Sequence, residues 1–234
     1  MFRGDNAICR LLCPYKAKLS TKLKDIMKFP DSLPILPVRN NLLLAGGQIA
    51  QKLIEPRYIN MVQDSLASKD RMVGVCITDS DKKYGAKDIF HKIGCAGKIT
   101  KFEEMVDGSF FVVLTGYCRF KLLREVTTMR QYRRFGVSFE DYEGDLVVNL
   151  NPDIDKPSLI ELIKKYAQKN SIAMDWDLLP DTPAFNIVTF FSMHLPFDDK
   201  QKQQLLEANT VEDRAKKLSL LIKDIMDTPD KAGV

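Results

Sequence analysis

The spacing of apolar residues changes part-way along this chain. Before about residue 150 they come in short runs and alternations. After Pro152 they recur every three or four residues. The first rhythm predicts strands and the second predicts helices. LPILPV (33–38), interrupted by prolines, predicts an edge or first strand. Leu42–Leu44 form a short run before a turn at Gly46-Gly47, and Gln48–Ile54 predicts a second strand. Pro56 then stands where a helix opens, since its missing N–H costs nothing in a first turn. Tyr58, Met61, Val62 and Leu66 extend that helix over 56–67. Arg71–Thr78 reads as a buried strand, and DSDKKYGAKD (79–88) as an exposed, mobile loop.

The clearest pair of strands covers 91–104 and 109–126. Asp107-Gly108 between them is a hairpin-turn signal, because both central residues of that turn favour positive φ. SFFVVLT is apolar at successive positions, which predicts a strand covered on both faces. A last strand is predicted over 132–142, where Phe135, Val137 and Phe139 alternate with polar neighbours.

The second half predicts four helices. Leu159, Leu162, Ile163 and Tyr166 mark the first. Thr182-Pro183 supplies an N-cap and first-turn proline for the second, which carries Phe185, Val188, Phe191 and Leu195 and stops at Pro196. Asp198 caps a short third helix running to Ala208. Thr210-Val-Glu-Asp resembles a capping box opening the fourth, with Val211, Ala215, Leu218, Ile222 and Ile225 on one face. The expected fold class is α+β. Its expected organisation is a basic, flexible leader (1–30), a β-rich region (31–148) and a helical region (149–234).

Charge sharpens this organisation. The net charge of +4 comes from the leader, because residues 1–28 hold seven basic groups against two acidic ones. The remaining chain has 28 basic and 29 acidic groups, so the body is close to neutral. Phosphate binding usually needs a concentrated basic surface. Only a local cluster, Arg130, Arg133 and Arg134, remains in the body, so nucleic acid is not the expected partner. AICRLLC in the leader is too short and interrupted for a signal-peptide core. The leader fits either a mitochondrial presequence or a segment that adds nothing to the fold, with translation starting at Met27. No apolar run reaches the ~20 residues of a membrane helix, and a cytoplasmic location is expected.

The residues for catalysis or metal binding are not assembled in any recognisable pattern. Five cysteines are dispersed, with no C-x-x-C pair, and the chain has only His91 and His194 besides. No metal and no cofactor is expected. Gly97-Lys98 is the nearest approach to a phosphate loop, but Lys92 stands in place of the first glycine and Ile99 in place of Ser/Thr. G-x-S-x-G is absent. The polar residues Glu55, Arg57, Tyr58 and Arg119 are set among apolar or turn-forming neighbours. They are read in two ways, as a polar surface site or as a structural pair in which Glu55 at a helix N-terminus meets Arg119 from the hairpin.

Two segments carry a family resemblance: LPVRNNLLLAGGQIAQKLIEPRYINMV (36–62) and DGSFFVVLTGYCRFKLL (107–123). IGCAGKI, with Gly94 and Gly97, and KQQLLEANTVEDRAKKLSLL from Lys202 extend it. Together they resemble the amino-terminal substrate-binding domain of the ATP-dependent Lon proteases over about residues 31–226. The resemblance is closer to small stand-alone bacterial members than to full-length proteases. The motif positions are Glu55, Pro56, Arg57, Tyr58, Gly94, Asp107, Gly108, Gly116, Arg119 and Phe120. Ala45-Gly46-Gly47 replaces the usual proline-glycine turn, and Lys52 is more basic than the pattern favours. The resemblance implies a pseudo-barrel similar to RNA-binding PUA domains, followed by a helical bundle, and a role in recognising protein substrates. It transfers no catalytic residue, so a non-enzymatic module binding unfolded segments or a protein partner is expected, with RNA binding through the barrel as the alternative. Within MDWDLLPDTPAF, Trp176, Leu178 and Leu179 are the candidate contact residues; they either form an exposed patch or fold back over the helices.

Overall fold

The spine of the molecule is a long hairpin. Strands β5 (Ile93–Glu104) and β6 (Phe110–Val126) pair from Glu104↔Phe110 to Ile93↔Lys121. Their turn lies where Asp107-Gly108 placed it but is of another kind. Only Gly108 has positive φ (76°), Gly108 N–H donates to Met105 O and Met105 N–H to Ser109 O, so the loop is the three residues 106–108 with the glycine as its left-handed residue. The computed structural model describes residues 29–84 and 87–227, without the side chains of 80–88. The expectations for residues 1–28, including Cys9, Cys13 and Met27, therefore lie outside the described residues. Phe29 and Pro30, assigned to the leader from sequence, already pack on the body, and the Phe29 ring stacks on Phe139 at 4.3 Å.

Five strands close into a ring. β1 (Ser32–Val38) runs parallel to β3 (Met72–Tyr84) and antiparallel to β7 (Arg134–Ser138). β7 pairs with the second half of β6, β6 with β5, and β5 with β3. A small core of Leu33, Ile35, Met72, Cys76, Ala96, Phe120, Phe135 and Val137 draws side chains from every ring strand and so fills its interior. Alternate residues of β1 and β3 (Leu36, Val38, Val73, Val75, Ile77) face outwards into a larger core shared with the helices. Those two strands are buried on both faces, which is why they read as continuous apolar runs.

β2 (Gln48–Leu53) lies outside the ring, along the first half of β6. Helix α1 (Pro56–Ala67) follows it and buries Met61 and Val62. Leu42–Leu44 are fully buried without forming a strand. Four α-helices follow among the described residues: α2 (Lys156–Lys169), α3 (Ala184–His194), α4 (Asp199–Leu206) and α5 (Val211–Asp227). α5 packs against each of the other three. The architecture is thus a mainly antiparallel sheet with helices, joined by one continuous core that runs from Leu36 to Ile222.

Four local expectations are corrected. Residues 79–84 and 87–90 are strands rather than loop: β3 continues to Tyr84 and pairs with β4 (Lys87–Phe90) across a bulge. Polar composition had hidden that extension. The strand predicted over 132–142 stops at Ser138, and Glu140–Leu146 form a 3-10 helix. SFFVVLT is not covered on both faces; its burial alternates, with Phe110, Val112 and Leu114 inside and Phe111 exposed. This half of β6 extends beyond the ring, where only one face meets the core. Thr182 does not cap α3: its hydroxyl donates to Leu178 O, and Pro183 occupies the cap. The Asp198 cap is a full capping box with Gln201, and the Thr210 hydroxyl accepts from Asp213 N–H as expected.

At Gly116 the Leu44 backbone crosses directly over the strand, and a Cβ there would run into the Leu44 carbonyl oxygen. Backbone cannot rotate out of the way as a side chain can. Gly116→Ala should therefore cost about 1–3 kcal/mol, as overpacked sites do. In thermal denaturation followed by circular dichroism, an unchanged midpoint would show that the crossing relaxes freely.

Candidate functional site

The motif residues separate into two groups that do not meet. Glu55 is the residue before α1, but its carboxylate makes no cap bond. It accepts instead from Arg57, at 2.8 Å to Nε and 2.7 Å to a terminal nitrogen. The Arg57 guanidinium lies over the Tyr58 ring at 4.6 Å. Both members of this ion pair are about half exposed, so it contributes at most ~1 kcal/mol. The expected Glu55–Arg119 pair does not form.

Arg119 is buried, 6% exposed, and its partner is Asp145 from the 3-10 helix. Nε and one terminal nitrogen bond the two carboxylate oxygens at 2.9 and 2.8 Å. The remaining N–H groups reach Leu206 O (3.1 Å), Ala208 O (2.6 Å) and Asn209 O (3.3 Å) at the end of α4. The Arg119 backbone N–H also donates to Asp145, at 2.9 Å. Burial is the largest single influence and works against the charge on Arg119, but the hydrogen bonds and charge of Asp145, with smaller contributions from Tyr142 and Cys95, together outweigh it and raise its pKa. Arg214 lies nearby and donates to Leu205 O at 2.9 Å. Burial, reinforced by the charge of Arg119, pushes its pKa down to about 10. This is a clamp in which every side-chain N–H of Arg119 is engaged, two by the Asp145 carboxylate and three by backbone carbonyls.

Asp107 pairs with Lys52 at 2.8 Å and also accepts from Ser109 N–H, fixing the hairpin turn to β2. The Lys52 and Ser109 hydrogen bonds hold its carboxyl well below the usual range. Gly94 lies opposite Phe120 in the β5–β6 register, and the Phe120 ring is fully buried within the strand ring. Like Arg119, these residues serve the fold.

The proposed contact loop folds back. Leu179 is 0% exposed, which corrects its assignment as a contact residue; it belongs to the main core. Trp176 and Leu178 are half-buried, and Trp176 packs on the same core with Lys164 Nζ 5.9 Å from its ring centre. The Asp175 carboxylate accepts from Asp177 N–H and holds the turn in place.

Other apolar residues are exposed at the open end of the β5–β6 hairpin: Phe102, Met105, Val106 and Phe111. The register puts Phe111 on the face of Glu103 and Lys52, and Phe102 on the opposite face, that of Val112. Ile54, 70% exposed, directly follows β2 on the same sheet. Phe102 meets Phe110 edge-on at 4.8 Å on the core side. Sequence reasoning missed this surface because the strand was assigned two covered faces. Met105-Val106 just before a tight turn was the available signal, since turn tips are normally polar.

Grooves indent the surface. One of about 910 Å³ is lined by Asp31, Glu140, Asp141 and Glu143 against Lys121. A second of about 610 Å³ lies between α2 and α5, and a third of about 290 Å³ lies over the Arg119 clamp. Among the described residues no three metal-ligating side chains converge. The thiols of Cys76, Cys95 and Cys118 are buried, and burial pushes each pKa up, that of Cys118 to about 12.

Two measurements check these assignments. Arg119→Ala leaves Asp145 buried without its partner and should cost ~3–5 kcal/mol, a melting-point fall on the order of 10 °C. Glu55→Ala should cost under ~1 kcal/mol. Comparable losses would restore a structural role to Glu55. Iodoacetamide at pH 8, mapped by peptide mass spectrometry, should leave Cys76, Cys95 and Cys118 unlabelled until denaturant is added, because the thiolate is the reactive form. Rapid labelling of any of the three in native protein contradicts the burial argument.

Comparison with known proteins agrees with this fold. A match to the family described as the ATP-dependent protease La (LON) substrate-binding domain spans residues 32–224. The chain is 28% identical over 214 residues to the Lon protease of Cytophaga hutchinsonii, covering 86% of this chain and 25% of that protein. It is 29% identical over 194 residues to the Lon protease of Flavobacterium johnsoniae, covering 80% and 23%. The chain thus spans about a quarter of the length of these relatives. The N-terminal domain of a Mycobacterium avium complex Lon protease has the same fold, with TM-score 0.60 at 16% identity, covering 82% of this chain and 98% of that one. A Lon N-terminal domain protein from Xanthomonas campestris superposes with TM-score 0.54 at 22% identity, covering 85% and 99%. With a match across most of its described length, this chain belongs to the LON substrate-binding domain family.

Proposed function

We propose that this chain is a non-catalytic module that recognises unfolded polypeptide segments, a reading that its membership of the LON substrate-binding domain family supports, without ATPase or protease chemistry of its own. The observation carrying this reading is Phe111, exposed on the solvent face of the sheet beside β2, with Ile54 just past the end of β2 and Met105 and Val106 exposed at the adjoining hairpin turn. Grouped exposed apolar side chains mark interaction sites. Trp176 and Leu178 take a supporting part at most, since they are half-buried in the helical region.

In this reading the strand ring is the PUA-like pseudo-barrel of region 31–148, and residues 149–234 form a helical bundle buttressing it. The three unpaired buried thiols suit a reducing, cytoplasmic setting. Among the described residues no helix is long and apolar enough to cross a membrane. The arginine cluster gives little support to an RNA-binding role: Arg130 pairs with Asp64, Arg133 with Glu125, and Arg134 bonds Ser32.

A permanently unfolded probe, reduced and carboxymethylated α-lactalbumin, tests the proposal by fluorescence anisotropy. Replacing both Ile54 and Phe111 with Ser should weaken binding at least tenfold, since each buried apolar side chain is worth ~1.5–3 kcal/mol. Leu220→Ser, which removes an exposed apolar residue of α5, should leave binding unchanged. Equal affinity in the double variant and the native protein would move the site elsewhere.

A further inference from the structure

β2 is an edge strand. It pairs with β6 on one side, and among the described residues no other strand pairs with it and no other backbone hydrogen bond reaches Gln48–Leu53. The phase of the ladder identifies the groups left open. Gly116 N–H donates to Gly47 O, so β6 turns residue 116 toward β2. Bonding alternates along an antiparallel pair, so the residues bonded to β6 are Ile49, Gln51 and Leu53, opposite Leu114, Val112 and Phe110. The backbone N–H and C=O groups of Gln48, Ala50 and Lys52 therefore point away from β6.

Natural edges are usually protected by proline, a bulge or a free charge that would be costly to bury. β2 contains no proline, and its register with β6 is unbroken. Its one charge, Lys52, is neutralised by Asp107 at 2.8 Å. On the solvent face beside this edge stand Phe111, opposite Lys52, and Ile54 just beyond the strand.

We infer that β2 is a strand-addition site: an extended, uncharged, apolar polypeptide segment pairs with the outward backbone groups of Gln48, Ala50 and Lys52 and lays alternate side chains against Ile54 and Phe111. The edge specifies an extended backbone, and the neutral, apolar flank specifies side chains without charge. Six residues of strand accommodate a segment of about six residues. Main-chain bonding makes recognition independent of exact sequence, which suits an unfolded partner. The inference rests on the polypeptide-recognition reading and adds the mode of binding.

Residue-resolved amide exchange by NMR on the full chain tests it. The probe is a peptide with seven alternating Thr and Val residues between Gly-Ser ends. In the free protein the amides of Gln48, Ala50 and Lys52 should exchange fast, and those of Ile49, Gln51 and Leu53 slowly. Saturating peptide should slow the first three at least tenfold. An analogue methylated at every nitrogen of the seven residues should bind at least tenfold more weakly. If the peptide binds in competition with carboxymethylated α-lactalbumin but those three amides are unaffected, strand addition is wrong while polypeptide recognition stands. If neither the peptide nor α-lactalbumin binds, both ideas fall together.

Discussion

Arg119 carries a charge out of water, and two distant stretches of chain supply its partners. Its strand brings it from the hairpin, Asp145 comes from the 3-10 helix, and the accepting carbonyls come from the end of α4. A guanidinium can be buried only if its donors are nearly all engaged, so this contact forces the sheet and the helices into one relative position. α4 reinforces the junction along its length. Asp199 accepts from Asn40 N–H, Lys202 donates to Asn40 O and Met193 O, and Gln203 reaches Ile93 O. Burial lowers the Lys202 pKa, a sign of how far its stem enters the protein. A short polar helix thus serves as the fastening between two regions that differ in secondary structure.

With the helices fixed, the two halves of β6 have different surroundings. The second half closes the ring and carries Phe120 into its interior. The first half runs out beyond the ring with β2 and β5, where one face has no cover. That protruding end carries the apolar surface and the open edge. Rigid support and an uncovered sheet end therefore come from the same strand. The arrangement can present a binding surface without a loop rearrangement.

The local elements were largely legible in the sequence. The position of the turn at Asp107-Gly108, the Pro56 helix start, the Asp198 and Thr210 caps and the change from strand to helix after residue 150 all stand as read. Each depends on a few neighbouring residues and on backbone chemistry that tertiary context seldom overrides. The misread segments were those whose state depends on distant partners. Residues 79–84 look like loop by composition yet pair with β4, and Phe139 continues an alternation that the chain abandons to place Asp145 under Arg119.

The sequence by itself determined the family, the turn position at Asp107-Gly108 and the caps at Asp198 and Thr210, and it holds no recognisable catalytic pattern. Period and turn chemistry are local properties, and the motif order preserves them. Only the tertiary structure decided that Arg119 joins Asp145 rather than Glu55, that Leu179 is core, and that the exposed apolar surface lies at the hairpin end. Those outcomes depend on which surfaces meet across long stretches of chain. A run of apolar residues is written the same way whether one face of its strand is covered or both.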